Sequence, residues 1–168
     1  MEKRGLFAVI AWAAALAGLL FPLVPAVWNG LGLGPDFLPA CVRFGYANAC
    51  HQIPERSFFL FGEPMAVCAR CYGIYAGYAA GTAAWFLLRK RLKSGTPKPA
   101  LFPVCLAPAA VDFMLSHLGL FESSNGLRML TGFAAGAAVP FYLLPAVLDL
   151  VTGVPHLRGV TCKKSPAN

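Results

Sequence analysis

The sequence predicts an all-α integral membrane protein, a bundle of four transmembrane helices with a folded, cysteine-rich loop on its outer side. Of its 168 residues, 58% are hydrophobic and only 12% are charged, whereas about 25% of the residues in soluble domains are charged. A soluble domain of this length has no core large enough for so much apolar surface. In addition, four apolar stretches approach the roughly 20 residues that a helix needs to cross a bilayer.

The first predicted span covers residues 6–28 and contains no charged residue. Lys3 and Arg4 precede it, as positive residues precede the hydrophobic region of a secretory signal peptide. The apolar run is longer than the 7 to 15 residues of a signal peptide's hydrophobic region, so we expect a retained helix. The second predicted span, residues 72–88, is shorter and also uncharged.

The third predicted span covers residues 100–118 and includes Asp112, and the fourth covers residues 127–148 and includes Arg128. Prolines occur in both, but membrane helices tolerate proline where neighbours satisfy the freed carbonyl groups. An ionisable residue inside a membrane is a functional candidate, and it needs a partner. We expect Asp112 to pair with Arg128 or Arg70.

Glycines recur at every fourth position in two of these spans. They are Gly73, Gly77 and Gly81 in the second span and Gly132 and Gly136 in the fourth. This spacing places small residues on one face of a helix, where two backbones can approach closely. The pattern predicts that the second and fourth spans pack together, and glycine-rich faces also offer a surface for a homodimer.

The distribution of Lys and Arg predicts the orientation, because positive residues favour the cytoplasmic side. Ten of the 14 lie at the N-terminus, in the connection 89–99 or in the tail 152–168, and four lie on the other face. We therefore expect one membrane domain, residues 1–168, with both termini in the cytoplasm and membrane lipids as partners. The net charge of +7 reflects this topology, and we expect no nucleic-acid partner because no folded basic module is evident.

The outer connection, residues 29–71, is much longer than the usual helix connection in a bundle. It is rich in phenylalanine, so we expect it to fold on the rim of the bundle with short helices at the level of the headgroups. Four of the six cysteines belong to it, namely Cys41, Cys50, Cys68 and Cys71. Cys105 and Cys162 are expected on the cytoplasmic side, where thiols stay reduced.

Two blocks of this region carry a specific pattern. Residues 50–57 read Cys-His-Gln-Ile-Pro-Glu-Arg-Ser, and residues 68–77 read Cys-Ala-Arg-Cys-Tyr-Gly-Ile-Tyr-Ala-Gly. Together with the later membrane Asp112 and the Asn-x-x-Arg at 125–128, residues 49–136 resemble a family of small prokaryotic membrane proteins catalogued as a domain of unknown function. The resemblance implies a multi-pass protein of a prokaryotic cytoplasmic membrane, and it supplies no activity.

A metal site, with zinc as the expected ion, is the first interpretation of the outer cysteines. Cys68 and Cys71 have the Cys-x2-Cys spacing that clasps one ion, and Cys50 would be the third ligand. His51 or Cys41 would complete the four ligands of a structural zinc site. Adjacent residues rarely both reach one metal, which leaves the fourth ligand open between His51, Cys41 and a membrane carboxylate.

Thiol chemistry without a metal gives two other interpretations. A Cys-x-x-Cys at the start of a helix has its thiolate stabilised by the helix dipole. Four spans with cytoplasmic termini are similar to the quinone-coupled disulfide-forming membrane oxidoreductases, in which case quinone is the cofactor and Cys41 and Cys50 are the shuttling pair. The second outer connection, residues 119–126, has no cysteine, which argues against this interpretation. Two structural disulfides are the third interpretation, because the outer compartment is oxidising.

The predicted topology gathers polar side chains at the outer ends of the spans. The candidate catalytic residues, which would transfer protons, are Asp112, Glu122 and His51. The candidate ligand-binding residues are Arg56, Arg70, Asn125 and Arg128. Guanidinium groups bind phosphate and carboxylate bidentately, although arginines here also fit headgroup contacts or a structural ion pair.

We therefore expect a metal site beside an Asp/Arg pocket that acts on a lipid or another anionic ligand. Whether the protein is an enzyme stays open. A quinone-coupled oxidoreductase is the second hypothesis, and a non-enzymatic binding or transport subunit is the third.

Overall fold

The computed structural model describes residues 2–88 and 97–152, most of which are helical. The expectations for residues 89–96 and for the tail from residue 153 onward, including Cys162, lie outside the described residues.

The described chain begins with a long helical rod. Helix α1, Glu2–Leu20, passes through a 3-10 turn, Phe21–Leu23, into α2, Val24–Gly30. A proline lies in the first turn of each of the latter two elements, where its missing N–H is tolerated. The prolines therefore change the helical geometry without ending the rod.

The connection after α2, residues 31–68, is folded, and we call it the hairpin segment. It contains α3, Phe37–Tyr46, and a second 3-10 turn, Pro54–Arg56. The antiparallel strands β1, Ser57–Leu60, and β2, Glu63–Cys68, follow. The mostly helical fold and a short helix in this region were expected, whereas the two-stranded hairpin was not.

The hairpin forms because its turn has the required backbone conformation. Leu60 pairs with Glu63, so the loop has two residues, Phe61 and Gly62, and both have positive φ, 53° and 82°. Positive φ at both positions is the signature of a turn whose twist matches that of the flanking strands. The central residues of β2 are buried against the rest of the protein, which holds the hairpin in place.

The remaining helices are α4, Ala69–Leu88, α5, Leu101–His117, and α6, Asn125–Thr152. Helices α4 and α6 make the most extensive contact between helices.

The glycines explain this contact. A Cβ atom on any of five glycines would overlap the backbone of the facing helix; these are Gly73, Gly77 and Gly81 of α4 and Gly132 and Gly136 of α6. The predicted packing of the second and fourth apolar stretches is thus confirmed. The expected homodimer stays a prediction, and these five glycines face a helix of the same chain.

An apolar cluster shows how the helices run. Ala11, Trp85, Leu144 and Leu148 pack together, which brings the first half of the rod formed by α1 and α2 to the ends of α4 and α6. Near the start of α5, Phe102 packs edge-on against Tyr142 of α6. Successive long helices therefore alternate in direction, and the hairpin segment lies at the end of the bundle opposite the apolar cluster.

Two of the described helical stretches are long and apolar enough to cross a membrane, Leu6–Gly30 and Asn125–Val151. Only 17% and 33% of their most apolar windows are buried inside the protein, whereas the core helix of a soluble protein is mostly buried. Helix α5 is apolar but shorter, with 17 residues, and the glycines and tyrosines of α4 reduce its hydropathy. The bundle of four membrane spans stays a prediction.

Candidate functional site

Three of the four outer cysteines meet where the hairpin segment joins α4. Cys50 follows α3, Cys68 ends β2, and Cys71 lies in the first turn of α4. Their three sulfur atoms lie within 4.8 Å of one another. Strand β2 runs directly into α4, which places Cys71 of the Cys-x2-Cys pair one helical turn from Cys68. The Cys68 backbone N–H donates a hydrogen bond to Cys50 Sγ at 3.2 Å.

This arrangement has the size of a thiolate metal site. Tetrahedral zinc with bonds of about 2.3 Å to sulfur separates its sulfur ligands by roughly 3.8 Å. All three thiols are free, and Cys50 is buried. Hydrogen bonds with Cys50, and secondarily with Cys71, lower the pKa of the Cys68 thiol. Hydrogen bonds within the same cluster raise the pKa of the Cys71 thiol, so of these two thiols Cys68 gives up its proton more readily, and the thiolate is the form that binds metals.

The two candidates for a fourth ligand lie outside this group. His51 and Cys41 are both exposed, and neither belongs to the set of clustered sulfur atoms. Next to His51, Gln52 has a positive φ of 53°, and its side-chain amide donates to the Arg43 carbonyl. The structure thus brings three of the predicted ligands together, and the fourth ligand stays a prediction.

A buried carboxylate pairs with Arg70, the arginine between Cys68 and Cys71 in sequence. Asp112 of α5 is 6% exposed and accepts hydrogen bonds from Arg70 Nε at 3.0 Å and from Arg70 Nη2. Ser123 also donates to it, and Thr131 Oγ1 lies 3.5 Å away. The predicted pairing of Asp112 with Arg70 is confirmed, whereas Arg128 attracts the carboxylate electrostatically.

Arg70 connects the two groups of residues. It lies between Cys68 and Cys71 in sequence, and its guanidinium reaches Asp112 while lying 5.7 Å from the centre of the Phe113 ring. The Arg70 carbonyl faces Gly132 of α6 in the close helix contact. The glycine packing therefore also fixes the position from which Arg70 extends.

A polar cavity of about 610 Å³ opens between the hairpin segment and the start of α6. Its lining residues include Glu55, Arg56, Glu122, Ser123, Asn125 and Arg128. Asn125 donates to the carbonyls of Glu55 at 3.4 Å and Ser57 at 3.2 Å. Its own amide oxygen accepts from Arg128 at 3.3 Å, so Asn125 joins the hairpin segment to α6 and orients a cavity arginine.

The candidate catalytic residues lie in three different surroundings. Glu122 lines the cavity and is exposed. Asp112 is not among the cavity's lining residues and is joined to the cavity wall through Ser123, and both of its oxygens accept hydrogen bonds. His51 belongs neither to the cavity nor to the sulfur cluster. The ligand-binding candidates Arg56, Asn125 and Arg128 do line one cavity, while Arg70 is held by Asp112.

Reasoning from the sequence missed Ser123, and it included Thr131 in the family pattern without a contact to Asp112. Both are buried, and both contact Asp112. Ser123 also lies 3.0 Å from Ser116, measured between the two hydroxyl oxygens. Isolated hydroxyl residues have no characteristic spacing, and only their position beside a buried carboxylate could have indicated them.

A known protein family matches the part of the chain that contains this site. The family described as "Predicted membrane protein (DUF2085)" matches residues 50–142. An uncharacterized protein of Methanocaldococcus jannaschii is 43% identical over 115 residues, which cover 68% of this chain and 74% of that protein. An uncharacterized protein of Methanothermobacter thermautotrophicus is 38% identical over 96 residues, which cover 57% of this chain and 83% of that protein.

No solved structure is significantly similar to the chain. The match to the family begins at Cys50 and extends into α6. The matched range therefore includes all three clustered cysteines, the Asp112 network and all the residues that line the polar cavity. The resemblance expected from the Cys-Ala-Arg-Cys block is confirmed, and the chain belongs to the DUF2085 family of predicted membrane proteins.

Proposed function

We propose that the protein is a zinc-binding membrane protein in which Cys50, Cys68 and Cys71 hold the ion beside a cavity for an anionic ligand. The observation that carries the proposal is the meeting of three free thiols within 4.8 Å of one another, two from the Cys-x2-Cys pair and one from Cys50. Folding brings Cys50 to the Cys-x2-Cys pair across 18 residues of sequence. Such a cluster matches the ligands that zinc takes in proteins.

Three protein ligands leave one tetrahedral position available. Because His51 and Cys41 lie outside the sulfur cluster, this position would be taken by water or by a small ligand, as in zinc sites that are open to solvent. When bound, zinc would polarise such a ligand. The ion would also pin the hairpin segment to α4, because Cys50 belongs to the former and Cys71 to the latter.

The anionic ligand is proposed for the polar cavity. Arg56 and Arg128 line it, and guanidinium groups form paired hydrogen bonds with phosphate or carboxylate oxygens. Asn125 holds Arg128 in place through a hydrogen bond of 3.3 Å. Proton transfer by Glu122 on this ligand is part of the hypothesis, since Glu122 lines the same cavity.

The proposed topology has four spans, with both termini in the cytoplasm of a prokaryotic cell and the hairpin segment outside. Helices α4 and α5 have 20 and 17 residues, within the range of about 17 to 25 residues that crosses a bilayer. Many large apolar side chains of α5 are exposed, among them Val104, Val111 and Phe113, as expected for a surface that faces lipid.

The metal site is tested by elemental analysis of the detergent-purified protein together with thiol counting after denaturation. We expect about one zinc per chain and free outer thiols. The variants C50S and C68S should lose the zinc, and the control C105S should keep it, because Cys105 of α5 lies outside the cluster. Zinc that persists in C50S and C68S would contradict the proposed ligands.

A quinone-coupled thiol–disulfide oxidoreductase is the second candidate, because sulfur atoms within 4.8 Å of one another are also close enough to exchange a disulfide with little movement. The same measurement separates the two. A protein without zinc, containing a disulfide that added quinol reduces, would replace the metal proposal with the redox one.

The topology is tested with short epitope tags inserted after Gly34 and after Lys98. In intact cells an antibody applied from outside should bind only the tag after Gly34. Binding of the tag after Lys98 should need a permeabilised membrane, and the reverse pattern would overturn the proposed orientation.

A further inference from the structure

A second, apolar cavity adjoins the polar one. This groove of about 400 Å³ lies between α5 and α6 and is apolar except for Asp112 and Thr131. Side chains along one face of α5 line it, including Val104, Ala107, Val111 and Leu115. Three of these four, all except Ala107, are among the exposed large apolar residues, so the groove lies on the apolar outer surface of the bundle.

The groove and the polar cavity meet at one side chain. Phe121 lines both of them. Behind Phe121, Asp112 contributes to the groove and accepts a hydrogen bond from Ser123, which lines the polar cavity. A single occupant with a polar end and an apolar end would fill both spaces.

Two arginines, Arg56 and Arg128, and two carboxylates, Glu55 and Glu122, line the polar cavity. Only Arg128 of these four is buried, and this buried arginine favours an anion beside it. Arg128 is 8% exposed, and it is repelled by Arg56 and Arg70 and attracted by Asp112. Arg70 and Ser123 already donate hydrogen bonds to the Asp112 carboxylate. A buried positive charge beside other positive charges is costly, and an anion between Arg56 and Arg128 would offset this cost.

We propose that the two cavities together bind one phospholipid, with the phosphate between Arg56 and Arg128 and a hydrocarbon chain in the groove between α5 and α6. This inference names the ligand of the proposed anion cavity, and it rests on the proposed membrane placement and not on the zinc. Planar guanidinium groups suit a phosphate with several oxygens, and a chain in the groove would cover apolar surface that faces the bilayer interior.

Three probes distinguish a lipid from other ligands of the same cavity. Binding to the purified full chain is measured by native mass spectrometry with phosphatidylglycerol, with glycerol 1-phosphate and with diacylglycerol. We expect one saturable phosphatidylglycerol per chain. Glycerol 1-phosphate should bind at least about 100-fold more weakly, because each buried CH₂ contributes roughly fourfold to affinity. Diacylglycerol should bind at least about 10-fold more weakly, because it lacks the charged hydrogen-bond acceptor.

Substitutions test whether the hydrocarbon chain binds in the groove and the phosphate in the polar cavity. Ala107→Trp should fill the groove and weaken phosphatidylglycerol binding about 10-fold or more, while binding of glycerol 1-phosphate stays unchanged. Ala110→Trp is the matched control, since Ala110 lies on α5 and does not line the groove. Arg56→Gln should weaken both phosphate probes, and Arg56 is exposed, so its removal leaves the core intact.

Two results would overturn the lipid proposal. Equal affinity for glycerol 1-phosphate and phosphatidylglycerol would identify a soluble phosphate compound as the ligand, and equal affinity for diacylglycerol would show that the phosphate has no role. Zinc is measured on every preparation. Lost phosphatidylglycerol specificity with zinc retained refutes only the lipid site, and absent zinc with specific lipid binding refutes only the metal centre.

Discussion

Helix α6 presents very different surfaces to its two neighbours. Towards α4 it offers glycines, and the two backbones come so close that no side chain fits between them at Gly77 or Gly136. Towards α5 it offers Arg128 and Thr131, and two cavities remain at or beside that contact. One surface of the helix is thus closed, and the other is open to a ligand.

The comparison indicates what each contact contributes. In the proposed membrane placement, close backbone packing would let dispersion forces hold α4 and α6 together without a hydrophobic driving force between them. A buried ion pair such as Arg70–Asp112 is weak evidence of stabilisation, because desolvation of the two charges offsets much of their attraction. We infer that the α4–α6 contact is the scaffold, and that the polar contact with α5 is retained for binding.

The largest expected effect comes from adding a side chain at the close contact between α4 and α6. In Gly77→Ala the new Cβ would overlap the backbone at Phe133 and Ala137. Since backbone atoms move only if the helices separate, we expect a loss of about 3 kcal/mol, the upper part of the usual cost of overpacking. Thermal unfolding in detergent, followed by intrinsic fluorescence, measures the loss.

Gly126→Ala is the matched control for that change. Gly126 lies in the first turn of α6, and its added Cβ would meet nothing closer than 4.0 Å. Alanine is the better helix former by about 1 kcal/mol in a helix interior, so this variant should be at least as stable as the parent. Equal destabilisation by the two substitutions would show that the α4–α6 contact is not the scaffold.

A substitution at the contact between α5 and α6 should reduce the free energy of unfolding by less. Asp112→Asn keeps the shape of the side chain but removes the charge that Arg70 and Ser123 contact. We expect a loss of about 2 kcal/mol, as for hydrogen bonds to a charged group. The control Ser116→Ala removes one contact between hydroxyl groups and should cost less than about 1 kcal/mol. Unchanged unfolding of Asp112→Asn together with lost phosphatidylglycerol binding would exclude a purely structural ion pair.

The contact of α6 with α4 could be predicted from the sequence more fully than its contact with α5. Uninterrupted apolar runs predict the helices, and glycines at every fourth position place small residues on one face, so the contact between α4 and α6 follows from spacing alone. The pairing of Asp112 with an arginine was also predictable, because a charge within an apolar stretch needs a counter-charge, although the sequence left the partner open between Arg128 and Arg70. The clustering of Cys50 with the Cys-x2-Cys pair was predicted as a ligand set, although the positions of His51 and Cys41 were not.

The rest depends on tertiary structure. The hairpin turns at Phe61-Gly62, which lacks the Asn-Gly or Asp-Gly sequence that usually marks such a turn. Ser123 becomes a partner of Asp112 only because the connection after α5 folds back over it. The cavities have no sequence signature either, since they are spaces between elements that are distant in the chain.

The smallest expected loss of stability comes from a variant that weakens the contact between the hairpin segment and α6. Asn125→Ala removes the hydrogen bonds to the Glu55 and Ser57 carbonyls and should cost about 1 kcal/mol. Because these bonds hold the hairpin segment against α6, limited proteolysis within that segment should become several-fold faster.

The control for Asn125→Ala is Ser124→Ala, which removes the hydroxyl that accepts the Leu127 N–H at 3.3 Å in the first turn of α6. Loss of such a capping bond also costs about 1 kcal/mol, but it leaves the contact with the hairpin segment intact, so proteolysis should not change. Equal proteolysis of the two variants would mean that Asn125 does not hold the hairpin segment, and that the sulfur cluster and the buried residues of β2 do. In that case removing zinc with a chelator should loosen the segment in the parent protein as well, because Cys50 would lose its link to Cys71.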